Sequence, residues 1–194
     1  MRGSRRPRRT RDVYSFERAD WRAPPNILID TSVVVGAILP NEAHHVACAQ
    51  LLTRLAGSAS VLVRTPLLEP ELCEALYRIA LAERWGKQKA RSMRNDGRAR
   101  QRANRLLEQG LSAWRGILGS LKHAVITFDD DLDRLQGLIG LGVGSYDACH
   151  IGAGIASGVV DIATVDHGFA LVPEETVRLH VPSELTGSMR RRRG

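Results

Sequence analysis

A chain of 194 residues, 43% of them apolar, is long enough to bury one ordinary core and short for two sizeable domains. Its net charge is +7, but Arg2, Arg5, Arg6, Arg8, Arg9, Arg11 and Arg190, Arg191, Arg192, Arg193 supply ten of the 28 basic residues; without these and Asp12 the body holds 18 basic against 20 acidic residues, so the basicity belongs to arms that suit a polyanion by charge alone. Cys48, Cys73 and Cys149 are too few and scattered for a disulfide framework and fit a reduced, cytoplasmic setting, no run reaches the roughly 18 apolar residues of a membrane span, and the start lacks a signal-peptide core.

In chain order, residues 1–25 read as a basic, disordered leader closed by Pro24-Pro25. Ile27–Ile29 is an apolar run that predicts a first strand, and Ser32–Leu39 a short helix stopped by Pro40. Val46, Ala49, Leu51, Leu52 and Leu55 have helical spacing within 43–56, with Gly57 as the C-cap. Ser60–Val63 predicts strand two. Leu72, Leu76, Ile79 and Ala80 then line one face of a helix over 69–83.

Residues 86–105 read as a basic helical insertion. Lys87, Arg91, Arg94, Arg98, Arg102 and Arg105 recur at steps of three and four, which places them on one helical face as possible RNA contacts. A solvated helix face is the ordinary explanation of such a stripe, and Asn95-Asp96-Gly97 is a turn signal that would break it. Ala103, Leu107, Trp114, Leu118 and Leu121 mark the next helix. Residues 124–128 predict strand three, and Asp129 caps a helix running to about Leu141. Residues 146–157 form a helix capped by Gly158, and 159–165 and 177–181 are strands four and five. Strand and helix alternate throughout, which argues a parallel sheet with helices on both faces, over 26–183, followed by an Arg-rich tail at 184–194.

Four acids hold distinctive places in that order. Asp30 ends strand one, Glu71 lies in the first turn of the helix after strand two, Asp147 opens the helix after the 142–144 loop, and Asp166 ends strand four. In a parallel sheet, strand C-termini and the helix N-termini that follow share one edge, so the four carboxylates can meet there. Two carboxylates about 4 Å apart repel by roughly 4 kcal/mol at an effective dielectric of 20, and a divalent cation removes that cost. Oxygen donors without clustered Cys or His favour Mg²⁺ or Mn²⁺ over zinc. Each acid also has a plainer reading as a helix cap or turn residue, and Glu69 and Glu74 are rivals to Glu71. His44, His45, His150 and His167 show no zinc spacing, and His150 is expected to pack or to face solvent.

The segments ILIDTSV, TPLLEPELCEAL and SYDACHIGAGIASGVVDIATVDHGF resemble the successive motifs of PIN-domain ribonucleases, most closely the VapC-type toxins of toxin–antitoxin pairs. The resemblance implies a three-layer α/β/α fold with a parallel sheet of four to five strands, and a quartet of acids holding Mg²⁺ or Mn²⁺. Carried over motif by motif, that quartet is Asp30, Glu71, Asp147 and Asp166, with Ser32 and Thr164 as accompanying hydroxyls. It further implies endoribonuclease activity, a homodimer and an antitoxin that covers the acidic pocket. The Arg-rich arms and residues 86–105 depart from the family pattern. The rival readings are a phosphatase or DNA nuclease on the same acids, and a non-catalytic RNA-binding or assembly protein.

Overall fold

Alternation along the strands decides which layer each side chain joins. In the computed structural model, which describes residues 12–128, 130–173 and 175–190, β2 (Asn26–Ile29) sends Ile27 and Ile29 to one face and Leu28 to the other; β3 (Val61–Arg64) splits Leu62 and Val63 in the same way. The first face is covered by α1 (Thr31–Ile38), α2 (His45–Ala56), α3 (Leu68–Ala90) and α4 (Gly97–Leu118), through Val33, Leu51, Leu72 and Trp114 among others. The second is covered by α5 (Leu132–Gly140), α6 (Ser145–Ala156) and α7 (Thr186–Arg190), through Leu138, Ile151 and Met189. The result is a three-layer α/β/α fold around an all-parallel sheet, as expected.

The sheet has six strands rather than four to five. With β1 (Val13–Ser15), β4 (His123–Val125), β5 (Asp161–Ala163) and β6 (Arg178–Val181), the order is β1-β6-β5-β2-β3-β4. From β2 the chain winds one way through β3 and β4, and the other half winds away through β5 and β6. The crevice between β2 and β5 is therefore the topological switch point, where open α/β sheets bind ligands.

The additional strand overturns the reading of 1–25 as a leader without structure. Residue 12 onward is built in: β1 pairs with β6, and Val13, Phe16 and Trp21 are buried. Arg54 of α2 holds the following loop by donating to the carbonyls of Phe16, Arg18 and Trp21, with its guanidinium 4.8 Å from the Trp21 ring centroid. The tail is corrected likewise. Residues 186–190 form α7, Met189 is buried, and Arg190 donates to the Val13 carbonyl at 2.9 Å. Residues 1–11 and 191–194, which carry the other nine arginines of the arms, lie outside the described residues, as does the Asp129 cap; Asp131 caps α5 by accepting from the Arg134 amide.

Residues 86–105 are the junction of a long α-hairpin, and the six basic residues do not share one face. Gly86 kinks α3 at φ 75°, a 3₁₀ turn follows at Ser92–Asn95, and Asp96 caps α4 by accepting from the Ala99 amide. Arg94 pairs with Glu74 at 2.6 Å and Arg102 approaches Glu83 at 3.9 Å. All six are exposed. Ala80, Ala99 and Ala103 close the hairpin with small side chains that let the two helices approach, and Leu81 packs beside them.

At the end of α6, Gly158 takes the left-handed conformation (φ 72°). The Val159 amide bonds the Gly154 carbonyl and the Gly158 amide bonds that of Ile155, a Schellman turn that aims the chain into β5.

Candidate metal centre

Asp30 stands where β2 gives way to α1. A carboxylate there ordinarily caps the helix, but this one makes no side-chain cap bond. Its Oδ2 instead accepts from Ser32 Oγ and, at 2.8 Å, from Thr164 Oγ1. Each hydroxyl is itself oriented: Ser32 Oγ accepts from the Val165 amide at 3.1 Å and Thr164 Oγ1 from the Asp166 amide at 2.9 Å. The β5 exit thus fixes two hydroxyls, and these fix the carboxylate across the switch point. Asp30 is 3% exposed, and burial pushes its pKa up against the lowering effect of the two hydroxyls.

Glu71 enters from the first turn of α3. Its Oε2 accepts from Thr31 Oγ1 at 2.6 Å and from His150 Nε2 at 2.9 Å. Burial alone would raise its pKa; these hydrogen bonds outweigh that and hold it below the usual glutamate value. The rivals are occupied elsewhere, Glu69 by Arg64 and Glu74 by Arg94. Asp30, Glu71 and His150 each offer one ligand atom within 4.8 Å of the others.

Asp147 and Asp166 complete the group. A Cβ placed on Gly168 would stand 3.1 Å from Asp166 Oδ1 and 3.5 Å from Asp147 Oδ2, so both carboxylates flank that glycine. Asp166 accepts from the Gly168 amide at 2.6 Å and is exposed at the rim. Asp147 is half-buried in the first turn of α6. Burial, and then the charges of Asp30, Asp166 and Glu71, push its pKa up to about 7. Burial is the larger cause, and the repulsion from the three other acids adds to it. A divalent cation would relieve that repulsion.

All four expected acids and both expected hydroxyls therefore meet at one edge. The six basic residues of 86–105 do not join it: Lys87, Arg91 and Arg94 border a groove of about 610 Å³ along α3, Arg102 and Arg105 border a cleft of about 220 Å³ between α3 and α4, and Arg98 is exposed near the start of α4. The expectation for His150 is corrected. It neither faces solvent nor merely packs: it is fully buried, with Nδ1 2.7 Å from Thr65 Oγ1 and Nε2 on Glu71. In the neutral ring Nε2–H donates to the carboxylate, and Nδ1 accepts from the threonine hydroxyl. Both nitrogens are engaged, so the ring props Glu71 and leaves ligation to the carboxylates. Thr31 and Thr65 were not expected at the site either. The one sequence signal for His150 is its place three residues after Asp147 in a helix, which puts both on one side.

No protein-family model and no curated protein matches the chain. Among solved structures, that of PAE2754 from Pyrobaculum aerophilum is similar at 19% identity and a TM-score of 0.44, covering 84% of this chain and 94% of that one. Among the described residues, no helix is long and apolar enough to cross a membrane.

Proposed function

We propose that this protein is a divalent-metal-dependent endoribonuclease that hydrolyses RNA phosphodiester bonds at the acidic edge of its sheet. The observation that carries the reading is the gathering of acids at the switch point: Asp30 and Glu71 lie together in the crevice, and Asp147 and Asp166 flank Gly168 at its rim. The donor set fits Mg²⁺ or Mn²⁺, which the four carboxylates would hold. When bound, such an ion supplies positive charge at the scissile phosphate and activates water. The rest is the work of the chain. Ser32 and Thr164 lock Asp30, and Thr31 and His150 lock Glu71, so two carboxylates are held in place before substrate arrives. Asp147 and Asp166 lie nearer the rim, where they orient the attacking water against the phosphate.

The resemblance of the motif segments to VapC-type PIN-domain ribonucleases supports a finer reading: a cytoplasmic, homodimeric toxin restrained by an antitoxin protein that covers the acids. The test is cleavage of a mixed RNA pool with Mg²⁺ or Mn²⁺, wild type beside Asp30→Asn, with single-stranded DNA and a small phosphomonoester in parallel. Metal-dependent RNA cutting by wild type alone is expected. Equal cutting by both proteins, or cutting of DNA or the monoester only, overturns the reading.

A further inference from the structure

The edge of the sheet opposite the acids holds a second concave surface. The strands are parallel, so the N-terminal ends of β5 and β6 open there, with Asp161 and Arg178 as their first residues. A cavity of about 540 Å³ runs along this edge, lined by Tyr14, Trp21, Arg18, Arg22, Arg178 and Arg190, with Asp20 and Asp161 as its acids. Four guanidinium groups thus face two carboxylates. Those two are already committed: Asp20 accepts from Arg18 Nε and Nη2, and Asp161 from Arg178 Nε and Nη2 and from His180 Nε2. The same pairs engage Nε and Nη2 of Arg18 and Arg178, leaving their Nη1 groups to meet an anion, while Arg22 and Arg190 donate to main-chain carbonyls and carry the excess positive charge.

The wall of this cavity is aromatic and preorganised. Trp21 Nε1 donates to His180 Nδ1 at 2.9 Å, which frees His180 Nε2 to donate to Asp161 and fixes the ring. Tyr14, opposite His180 in the β1–β6 register, stacks on it with centroids 5.3 Å apart and planes at 22°, and remains 43% exposed. Arg190 donates to the Val13 carbonyl at 2.9 Å, which holds its guanidinium at the cavity wall.

We infer that this Arg-walled, tyrosine-lined cavity is a docking surface for a single-stranded RNA, taking phosphates on Arg18, Arg22, Arg178 and Arg190 and a base on the Tyr14 ring. A concave surface with an exposed, backed ring suits a flat base between phosphates, as single-strand binders use stacking platforms in basic grooves. It suits a planar lipid surface less. The surface is separate from the acidic edge, and RNA binding there does not depend on the proposed cleavage chemistry.

The experiment is binding of a fluorescent 12-nucleotide uridine RNA to the full chain in EDTA, followed by anisotropy from 0.05 to 0.5 M salt. Wild type is compared with Arg18→Gln/Arg22→Gln, with Tyr14→Leu, and with Arg98→Gln/Arg105→Gln on α4. Losing two phosphate contacts lowers the slope of log K against log salt by about 1.4 and the affinity at 0.1 M by about 25-fold. Losing the stacking ring lowers affinity about fivefold or more with the slope unchanged. Circular dichroism melts show whether each variant is folded, and the exposed Arg18 and Arg22 leave the double variant safe in that respect. Wild-type binding by both cavity variants, or loss in the α4 variant alone, overturns the assignment. So does equal affinity for poly-glutamate, or preference for phosphatidylserine vesicles over RNA. Absence of RNA cleavage with binding intact leaves this surface standing and removes only the nuclease reading.

Discussion

Replacing Asp147 with asparagine should stabilise the metal-free protein while destroying its activity. The carboxyl is pushed from the ordinary 3.8 to about 7 by burial and by Asp30, Asp166 and Glu71. At about 1.36 kcal/mol per pH unit, that difference would be worth about 4 kcal/mol if no water reached the group. Asp147 is only half-buried, and solvent screening reduces the figure to about 1–2 kcal/mol. The helix dipole opposes the change, since a negative charge in the first turn of α6 is favoured by about 0.5 kcal/mol. Burial and repulsion together outweigh it, leaving a net gain of about 1 kcal/mol at pH 8. The sign follows from the direction of the shift. A raised folded-state pKa means that stability is fully present below about 4 and is lost as pH rises through about 7. The asparagine variant is spared that loss, so its advantage should grow across this window and be absent at pH 4. Urea denaturation in EDTA at pH 4, 6 and 8 measures it, and Mg²⁺ should then stabilise wild type more than the variant. A variant less stable than wild type at pH 8, or an advantage equal at pH 4 and pH 8, would refute the picture of four crowded carboxylates.

The other predictions concern the supports of the site and the fold. His150→Leu removes one of the two side-chain donors to Glu71 and leaves the buried Thr65 hydroxyl without an acceptor, and should cost about 2–4 kcal/mol, read as a lowered urea midpoint with the slope unchanged. Arg54→Ala removes three hydrogen bonds to carbonyls and a cation–π contact, for about 2–3 kcal/mol; hydrogen exchange should rise selectively in residues 13–22, and protection unchanged there would count against the latch. Gly154→Ala would set a Cβ 2.8 Å from the Val159 carbonyl oxygen and 3.1 Å from Leu28 Cδ2; backbone cannot yield as a side chain can, so about 2–3 kcal/mol should be lost in a thermal melt.

The acids were legible because each sits where an apolar strand run stops or a helix starts, and chain order alone sends such positions to one edge. Asp30 and Asp166 are the clearest: neither is placed by its own neighbours so much as by the strands they end. His150 was hidden because its partners come from elsewhere. Thr65 follows β3, Glu71 lies on α3, and only the folded sheet brings them to α6. β1 was illegible for a related reason. Three residues give no usable periodicity, and the strand owes its existence to β6 at the far end of the chain and to Arg54. The basic stripe failed locally instead. A helical wheel drawn through 86–105 assumes one continuous helix, and Gly86 at φ 75° and the 3₁₀ turn at 92–95 break that assumption twice.

The connectivity of the sheet imposes an order on how the molecule can be assembled. β2, β3 and β4 are neighbours in sequence and in space, so the half carrying Asp30 and Glu71 can close early during synthesis, through short loop closures. The pocket stays open on one side until β5 slots against β2 and delivers Thr164 and Asp166. Among the described strands β1 comes first in the chain but docks last, because its sheet neighbour, β6, follows all the others. A chain stopped short of β5 would carry Asp30, Glu71 and Asp147 without Thr164, one of the two hydroxyls that orient Asp30, so the site matures only once β5 is made.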